Sequence, residues 1–244
     1  MDRMIYNAMA GAKAAMQRQE VLSHNLANVS TTGFRAEMAS FRAVPVRGDG
    51  ASTRVYALET TIGHDESAGP WNRTDRRLDV AMVGKAWLAV QSLDGTEGYT
   101  RAGHLDLNAE GLLVTPSGLP VLGDGGPITV PPNTTVQIGS DGTVSAQGAT
   151  GRPTTVGRLK LVTPEAPLKR GDDGLFRAAD GTDLPADANA RLESGVLEGS
   201  NVSAVETMVG MIAAARQFEQ QMKLLTLAQT QGQVGAKLLS PNPL

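Results

Sequence analysis

The chain has 244 residues, a net charge of −3 and no cysteine. That charge gives no basic field of the kind that nucleic-acid-binding domains carry, so we expect no nucleic-acid partner. The absence of cysteine excludes disulfides, thiolate zinc sites and a cysteine nucleophile. Only 4% of the residues are aromatic, whereas 28 are glycine and 13 are proline. Such a composition predicts a modest core and a large share of turns and extended segments.

The first predicted element is a helix that runs up to Leu26. Its apolar and small residues follow a four-three spacing, which places them on one helix face; they are Ile5, Met9, Ala12, Met16, Gln19, Ser23 and Leu26. Polar side chains interrupt its apolar residues, and no later stretch approaches the ~20 apolar residues of a membrane span. We therefore expect no cleaved secretion signal and no lipid insertion.

Small polar residues end this helix in the stretch SHNLANVSTTGFRA, residues 23–36. Asparagine and glycine can satisfy the carbonyl groups at a helix end, or adopt a left-handed backbone that a bulky residue disfavours. We therefore predict that the chain leaves the helix here. The predicted helix-exit motif consists of Asn25, Leu26, Asn28, Gly33 and Phe34.

The middle of the chain changes from helical periodicity to a period of two. Residues 36–75 have weak periodicity and several glycines and prolines, and we predict an extended linker with room for short strands. Residues 76–199 alternate apolar and polar positions, and Asp-Gly or Glu-Gly pairs separate the runs, as at Asp94-Gly95 and Asp141-Gly142. Short strands with such frequent turns indicate an antiparallel β domain.

The last predicted element is a long helix that begins at a capping box, Ser203 to Glu206. Its residues follow a/d heptad spacing over more than four repeats; they are Met208, Met211, Ala215, Phe218, Met222, Leu225, Gln229, Gly232, Ala236 and Leu239. At ~1.5 Å per residue, such a helix is on the order of 50 Å long.

Together these elements predict an α+β fold with a mainly antiparallel β domain (76–199) inserted into a discontinuous helical domain. The two chain ends, 1–35 and 200–244, form that helical domain, and 36–75 is the linker. A two-helix pair buries one face of each helix and is marginal alone. We therefore interpret the helices as packing against other chains, in preference to capping the β domain. The predicted assembly interface is Ile5, Met9, Met16, Leu26, Met208, Met211, Phe218, Met222 and Leu225.

No catalytic, cofactor or metal pattern rises above background. The three histidines have no metal-ligand spacing. The glycines of LGDGGPITV (122–130) lead into a predicted strand, whereas a phosphate loop opens a helix. No serine lies in a nucleophile elbow. We therefore predict that the protein is not an enzyme and needs no cofactor.

Four stretches resemble the bacterial flagellar rod, hook and hook-associated axial proteins. They are LSHNLANVSTTGFRA, GVLEGSNVSAVETMVGMIAAARQFEQQMKLL, RRLDVAMVGKAWLAVQSLDGTEGYTRAGHLDLNAEGLLV and GLPVLGDGGPITVP. Within that family, MDRMIYNAMAGA, FRAVPV, GRLKLV and DDGLFR look like the proximal rod subunit. The alternatives are a distal rod or hook protein, or, from a different class, a secreted β-rich glycan-binding protein.

The resemblance implies a structural subunit of the basal-body rod, which spans the periplasm and serves motility. In such proteins the terminal helices pair in the inner layer of a helical tube and the β domain lies outside. The implied partners are further copies of the chain, other proximal and distal rod proteins, and the flagellar type III export apparatus. The family is exported unfolded and without cleavage of a signal peptide.

Overall fold

The structure is a computed structural model that describes residues 2–45, 55–148 and 151–239. Helix α1 (Asp2–Ala27) and helix α2 (Ala204–Leu239) flank a strand-rich middle, and the predicted α+β class is confirmed. The strands are β1 (Glu37–Pro45), β2 (Val55–His64), β3 (Trp71–Arg73), β4 (Val80–Met82), β5 (Trp87–Gln91), β6 (Glu97–Thr100), β7 (Asp106–Leu107), β8 (Leu113–Val114), β9 (Leu122–Gly123), β10 (Gly126–Pro127), β11 (Thr135–Ile138), β12 (Thr143–Gln147), β13 (Thr154–Arg158), β14 (Leu161–Val162), β15 (Lys169–Arg170), β16 (Phe176–Arg177), β17 (Leu192–Ser194) and β18 (Val196–Glu198).

The chain divides into two compact units. The helical unit comprises residues 1–29, 36–65 and 202–244, and the β unit comprises residues 30–35 and 66–201. Residues 30–35 and residues 66–75 both belong to the β unit.

In the helical unit, α1 and α2 pack side by side and run antiparallel. Leu22, near the end of α1, lies against Gly210, near the start of α2, whereas Gly11 lies against Gln221. The buried apolar positions of the described helices are alanines, whose small side chains let the two backbones approach closely; they are Ala8, Ala12 and Ala15 in α1 and Ala214 and Ala228 in α2. The backbone N–H of Glu206 donates to Oγ of Ser203 over 3.4 Å, which is one half of the predicted capping box.

Strands β1 and β2 form a long antiparallel hairpin in the helical unit, from Glu37 opposite His64 to Pro45 opposite Val55. The pairing register shifts between Ser40 and Phe41. The sequence predicted an extended linker with room for short strands here, whereas the paired strands in the structure are long. β2 is rich in β-branched and aromatic residues, but the glycines around residues 46–54 obscured its period. Those residues lie outside the described part of the chain.

The β unit is built on antiparallel sheets, as its alternating sequence predicts. Its largest sheet has five strands in the order β14-β5-β6-β16-β15, and a second has three in the order β11-β12-β13. Inward-facing residues of these strands and their neighbours form the main core, which includes Val80, Met82, Leu88, Val90, Leu105, Leu113, Val121, Val144, Leu159, Leu161 and Leu192. A second cluster surrounds Trp87, whose ring centroid lies 4.7 Å from that of Phe176.

Candidate functional site

The face of α2 opposite its α1 contact carries exposed apolar side chains. Because α1 covers the side of α2 that bears Ala214 and Ala228, residues about half a turn away point outward. Val209 and Ile212 are 61% and 56% exposed on that outward face. Further along α2 the same face is formed by Leu227 and Val234, both also exposed. The helical unit thus presents an apolar stripe with no covering element in the described chain.

The residues of the predicted assembly interface fall into two groups. Four methionines are exposed, at the flanks of the helix pair; they are Met9, Met16, Met208 and Met222. The other five are half-buried; they are Ile5, Leu26, Met211, Phe218 and Leu225. The second group lies nearer the α1–α2 contact. A heptad stripe that fits a partner helix can pack on the other helix of the same chain.

The sequence analysis missed the outward stripe formed by Val209, Ile212, Leu227 and Val234. Its signal was a second set of apolar residues at heptad spacing, with Val205 seven before Ile212 and Leu227 seven before Val234. A single helix with two apolar faces has more apolar surface than one antiparallel partner can cover.

The helix exit begins at Ala27, the last residue of α1. The side chain of Asn25 bonds this end of the helix to the β1–β2 hairpin. Asn25 is buried; its Nδ2 donates to the carbonyl oxygen of Glu37 over 2.9 Å, and its Oδ1 accepts from the N–H of Glu37 over 2.8 Å. Nδ2 of Asn28 donates to the carbonyl oxygen of His24 and so satisfies one carbonyl of the last helical turn. Nδ1 of His24 lies 3.1 Å from Oε2 of Glu37. Asn25 therefore fixes the first residue of β1.

Gly33 has φ of 69°, in the left-handed region that the sequence predicted. A Cβ at Gly33 would collide with the backbone of Arg101 and Ala102, so the position also needs the close approach that only glycine permits. Its N–H donates to the carbonyl oxygen of Glu198 over 2.8 Å. The next residue, Phe34, is buried, and the Cζ of Arg170 lies 4.7 Å from its ring centroid.

A buried ion cluster lies beside this segment in the β unit and was not predicted. Glu198 is 0% exposed, and it pairs with Arg35 (Nη2–Oε1 2.7 Å) and Arg101 (Nη2–Oε2 2.6 Å). The N–H of Gly69 donates to Oε1 of Glu198 over 3.0 Å. Arg101 also donates to the carbonyl oxygens of Met82, Gly84 and Ala86. One carboxylate therefore joins four segments that are distant in sequence.

The cluster holds two guanidinium groups and one carboxylate away from water. Burial lowers the pKa of Arg101, opposed by Glu198 and assisted by the positive charge of Arg35. Nε and Nη1 of Arg35 are buried and have no hydrogen-bond partner among the residues that the structure describes. The arrangement fixes backbone segments. It offers no reactive group to a substrate, because the two guanidinium groups and the carboxylate are all buried.

Within the described ranges, no set of three His, Asp or Glu side chains is arranged to hold a metal ion. His104 contacts Asp79 and Asp106, and Arg76 forms ion pairs with both aspartates. None of the described helices is long and apolar enough to cross a membrane.

Three family profiles match the chain. "Flagella basal body rod protein" matches residues 5–35, "Flagellar hook protein FlgE/F/G D1 domain" matches residues 81–146, and "Flagellar basal body rod FlgEFG protein C-terminal" matches residues 193–237. The flagellar basal-body rod protein FlgF of Salmonella typhimurium is 49% identical over 236 residues, which cover 93% of this chain and 94% of that protein.

Other relatives separate two members of the rod group. The FlgF protein of Escherichia coli is 47% identical over 93% of this chain and 94% of its own length, whereas the FlgG protein of Bacillus subtilis is 32% identical over 93% and 95%. The matched proteins are structural rod proteins, and the higher identity is to FlgF. The chain therefore belongs to the FlgF family of flagellar basal-body rod proteins, as a structural subunit of the rod and not an enzyme.

Proposed function

We propose that the chain is a subunit of the proximal rod and polymerises through its terminal helices, beside further copies of itself and other flagellar rod proteins. The observation that carries this proposal is the exposed apolar stripe on α2. Burying apolar surface contributes about 25 cal/mol per Å², and exposed patches rimmed by polar residues mark interaction sites. A rod wall of parallel helices would cover this stripe with helices of adjacent subunits.

The two helices and the hairpin act, in this proposal, as one discontinuous helical domain that builds the rod wall. The proposed assembly interface contains the four exposed methionines, the five half-buried residues of the predicted interface, and the outward residues Val209, Ile212, Leu227 and Val234. The proposed helical domain consists of residues 1–35 and 200–244, the proposed linker is 36–75, and the proposed β domain is 76–199. Heterologous contacts between such domains need not close into a ring and so generate a helical filament.

The chain reaches the basal body, we propose, through the flagellar type III export apparatus, unfolded and without cleavage of a signal peptide. The absence of cysteine suits a chain that refolds in the oxidising periplasm. The test is mass spectrometry of the protein in purified basal bodies. The expected result is an intact amino-terminal peptide; a processed amino terminus would contradict this proposal.

The assembly proposal is tested by Val209→Asp and Ile212→Asp in cells that lack the native gene. Each substitution places a charge at an exposed position, where a change usually alters stability by less than about 0.5 kcal/mol, so the isolated chain should keep nearly the same melting temperature. In the rod the same charge would be buried without a partner, which is strongly unfavourable. We expect swimming and rod completion to fail. Electron microscopy of basal bodies and a soft-agar swimming assay measure the outcome.

The matched control is Leu93→Asp, which introduces the same charge at an apolar side chain that is 94% exposed on a turn of the β unit. This variant should swim normally, because the proposal assigns no contact to that turn. If Val209→Asp and Ile212→Asp also support normal swimming and complete rods, the outward stripe does not face neighbouring subunits.

A further inference from the structure

Six aspartates of the chain are followed directly by glycine. Glycine has no side chain to shield its backbone nitrogen, so this nitrogen can attack the carboxyl group of the aspartate before it. The attack closes a five-membered ring and rearranges the backbone. One such pair, Asp49-Gly50, lies outside the described residues. The others are Asp94-Gly95, Asp124-Gly125, Asp141-Gly142, Asp173-Gly174 and Asp180-Gly181.

In every described pair except Asp124-Gly125, hydrogen bonds engage both reacting groups. The glycine N–H donates to the carbonyl oxygen three residues before it; these bonds run from Gly95 to Ser92, Gly142 to Gly139, Gly174 to Gly171 and Gly181 to Ala178. The aspartate carboxylate accepts from the backbone N–H two residues further on; the donors are Thr96, Thr143, Leu175 and Thr182. These hydrogen bonds must break before the nitrogen and the carboxyl carbon can meet.

The same hydrogen bonds keep these carboxyl groups charged. Bonds from the threonine two residues further on lower the pKa of Asp94, Asp141 and Asp180. Arg177 donates to Asp173 and lowers its pKa to about 2. The ring closes by loss of water from the neutral carboxyl group, and a lower pKa makes that neutral form rarer at neutral pH. The fold therefore protects these aspartates in two ways.

Asp124 and Gly125 form the two-residue turn between β9 and β10, where Gly123 is paired with Gly126. Asp124 is exposed. Among the residues that the structure describes, its carboxylate accepts no hydrogen bond and the N–H of Gly125 donates none. A Cβ at Gly125 would meet nothing within 4 Å, so no neighbouring group hinders the approach. Both reacting groups of this pair are therefore accessible and unprotected.

We propose that Asp124 is a site of spontaneous isoaspartate formation in the folded chain, and that hydrogen bonding protects the other described Asp-Gly pairs. The backbone nitrogen of Gly125 bonds to Cγ of Asp124 and loses its proton, and one carboxyl oxygen leaves as water. The product is a cyclic succinimide. A water molecule then opens the ring. Opening at the original main-chain carbonyl leaves the new Cγ–N bond in place and gives isoaspartate, with no net change in mass.

The rearrangement lengthens the main chain of the turn. In isoaspartate the chain runs through Cβ and Cγ, which adds one carbon atom to a turn of two residues. The pairing of Gly123 with Gly126 and the 3.1 Å hydrogen bond from the N–H of Asp124 to the carbonyl oxygen of Arg158 define this turn. We expect the isomerised hairpin to lose that pairing.

The test incubates the purified full chain at neutral pH for several weeks. Peptide mass spectrometry with electron-transfer fragmentation then measures isoaspartate at each Asp-Gly pair. Each hydrogen bond that must break slows the attack by roughly two- to tenfold, so Asp124 should convert about tenfold faster than Asp180. In urea, where the fold is lost, the two aspartates should convert at similar rates. Equal rates in the folded chain, or no isoaspartate at Asp124 when the urea sample forms it, would overturn the proposal.

Thr182→Val tests the protection by hydrogen bonds. It removes the 2.8 Å bond from the Thr182 hydroxyl to Asp180 and keeps the bond from the backbone N–H. Conversion of Asp180 should become roughly two- to tenfold faster in the folded chain, with no change in urea. An unchanged rate in the folded variant would contradict the protection. Since the measurements use the isolated chain, their outcome is independent of the proposed assembly.

Discussion

Nη2 of Arg35 lies 2.7 Å from Oε1 of Glu198, although the two residues are far apart in the sequence. The same carboxylate pairs with Arg101 through its other oxygen. Gly33 donates to the carbonyl oxygen of Glu198, and the N–H of Asn201 lies 3.4 Å from the carbonyl oxygen of Phe34. The segments by which the chain enters and leaves the β unit therefore run beside each other, and one buried carboxylate fixes both.

Glu198→Gln should destabilise the β unit by about 3–5 kcal/mol, because removing the carboxylate leaves two buried guanidinium groups without a counter-charge. Arg35→Met should cost much less, since the Arg101–Glu198 pair that remains is electrically balanced. It also removes two buried donors that have no partner among the described residues. Urea unfolding followed by tryptophan fluorescence measures both. Equal destabilisation by the two variants would show that the charge balance of the cluster is unimportant.

Gly33→Ala should destabilise the β unit by more than Gly95→Ala. Both glycines have positive φ, 69° and 83°, so each substitution incurs the left-handed cost of about 1–2 kcal/mol for a residue with a Cβ. A Cβ at Gly95 meets nothing within 4 Å, whereas one at Gly33 collides with the backbone of Arg101. The difference between the two unfolding free energies isolates the close approach. If the two variants have equal free energies of unfolding, the backbone around residue 33 accommodates the added Cβ without a loss of stability.

The sequence predicted both helices and the strand-rich middle because each has a strong period. Gly33 was predicted from its place in a helix exit, and its left-handed backbone is observed. The tie from Asn25 to Glu37 could not be derived, since nothing local specifies which backbone an asparagine reaches. The Arg35–Glu198–Arg101 cluster could not be predicted from the sequence for the same reason. Ion pairs between residues far apart in sequence leave no periodic signal, and a single charged residue in a strand more often faces solvent.

Asn25→Ala should loosen the start of β1 from α1. The substitution removes two hydrogen bonds to the backbone of Glu37 and leaves a partly buried N–H and carbonyl to find other partners, which costs about 1–3 kcal/mol. Amide exchange at Glu37 should become faster by at least tenfold. Asn28→Ala is the control, because Nδ2 of Asn28 donates to the carbonyl oxygen of His24 in the end of its own helix. Unchanged exchange at Glu37 would show that the hairpin is held by other contacts.

Asp173→Asn should make the stability of the β unit fall less steeply as the pH is lowered. Hydrogen bonds from Arg177 (2.7 and 3.0 Å), assisted by the N–H of Leu175 and the hydroxyl of Ser92, lower the pKa of Asp173 to about 2. A carboxyl whose folded pKa lies below its unfolded value of 3.8 binds fewer protons in the folded state. Its stabilising contribution is therefore complete above about pH 4 and is lost as the pH falls towards 2.

Melting temperatures measured between pH 5 and pH 2 test this directly. The parent chain should lose stability steeply below pH 4, in part through other aspartates such as Asp94 and Asp141. Threonines two residues further on donate hydrogen bonds to these carboxylates and lower their pKa values. Asp173→Asn should be less stable than the parent at pH 5, and the difference should shrink towards pH 2, because the parent carboxyl, with a pKa of about 2, is about half protonated there. Asp172→Asn is the matched control, because it removes an equal charge from the neighbouring residue without removing the Arg177 hydrogen bonds. A constant difference between Asp173→Asn and the parent across the whole range would show that the Arg177 pair contributes nothing that depends on the ionisation of Asp173.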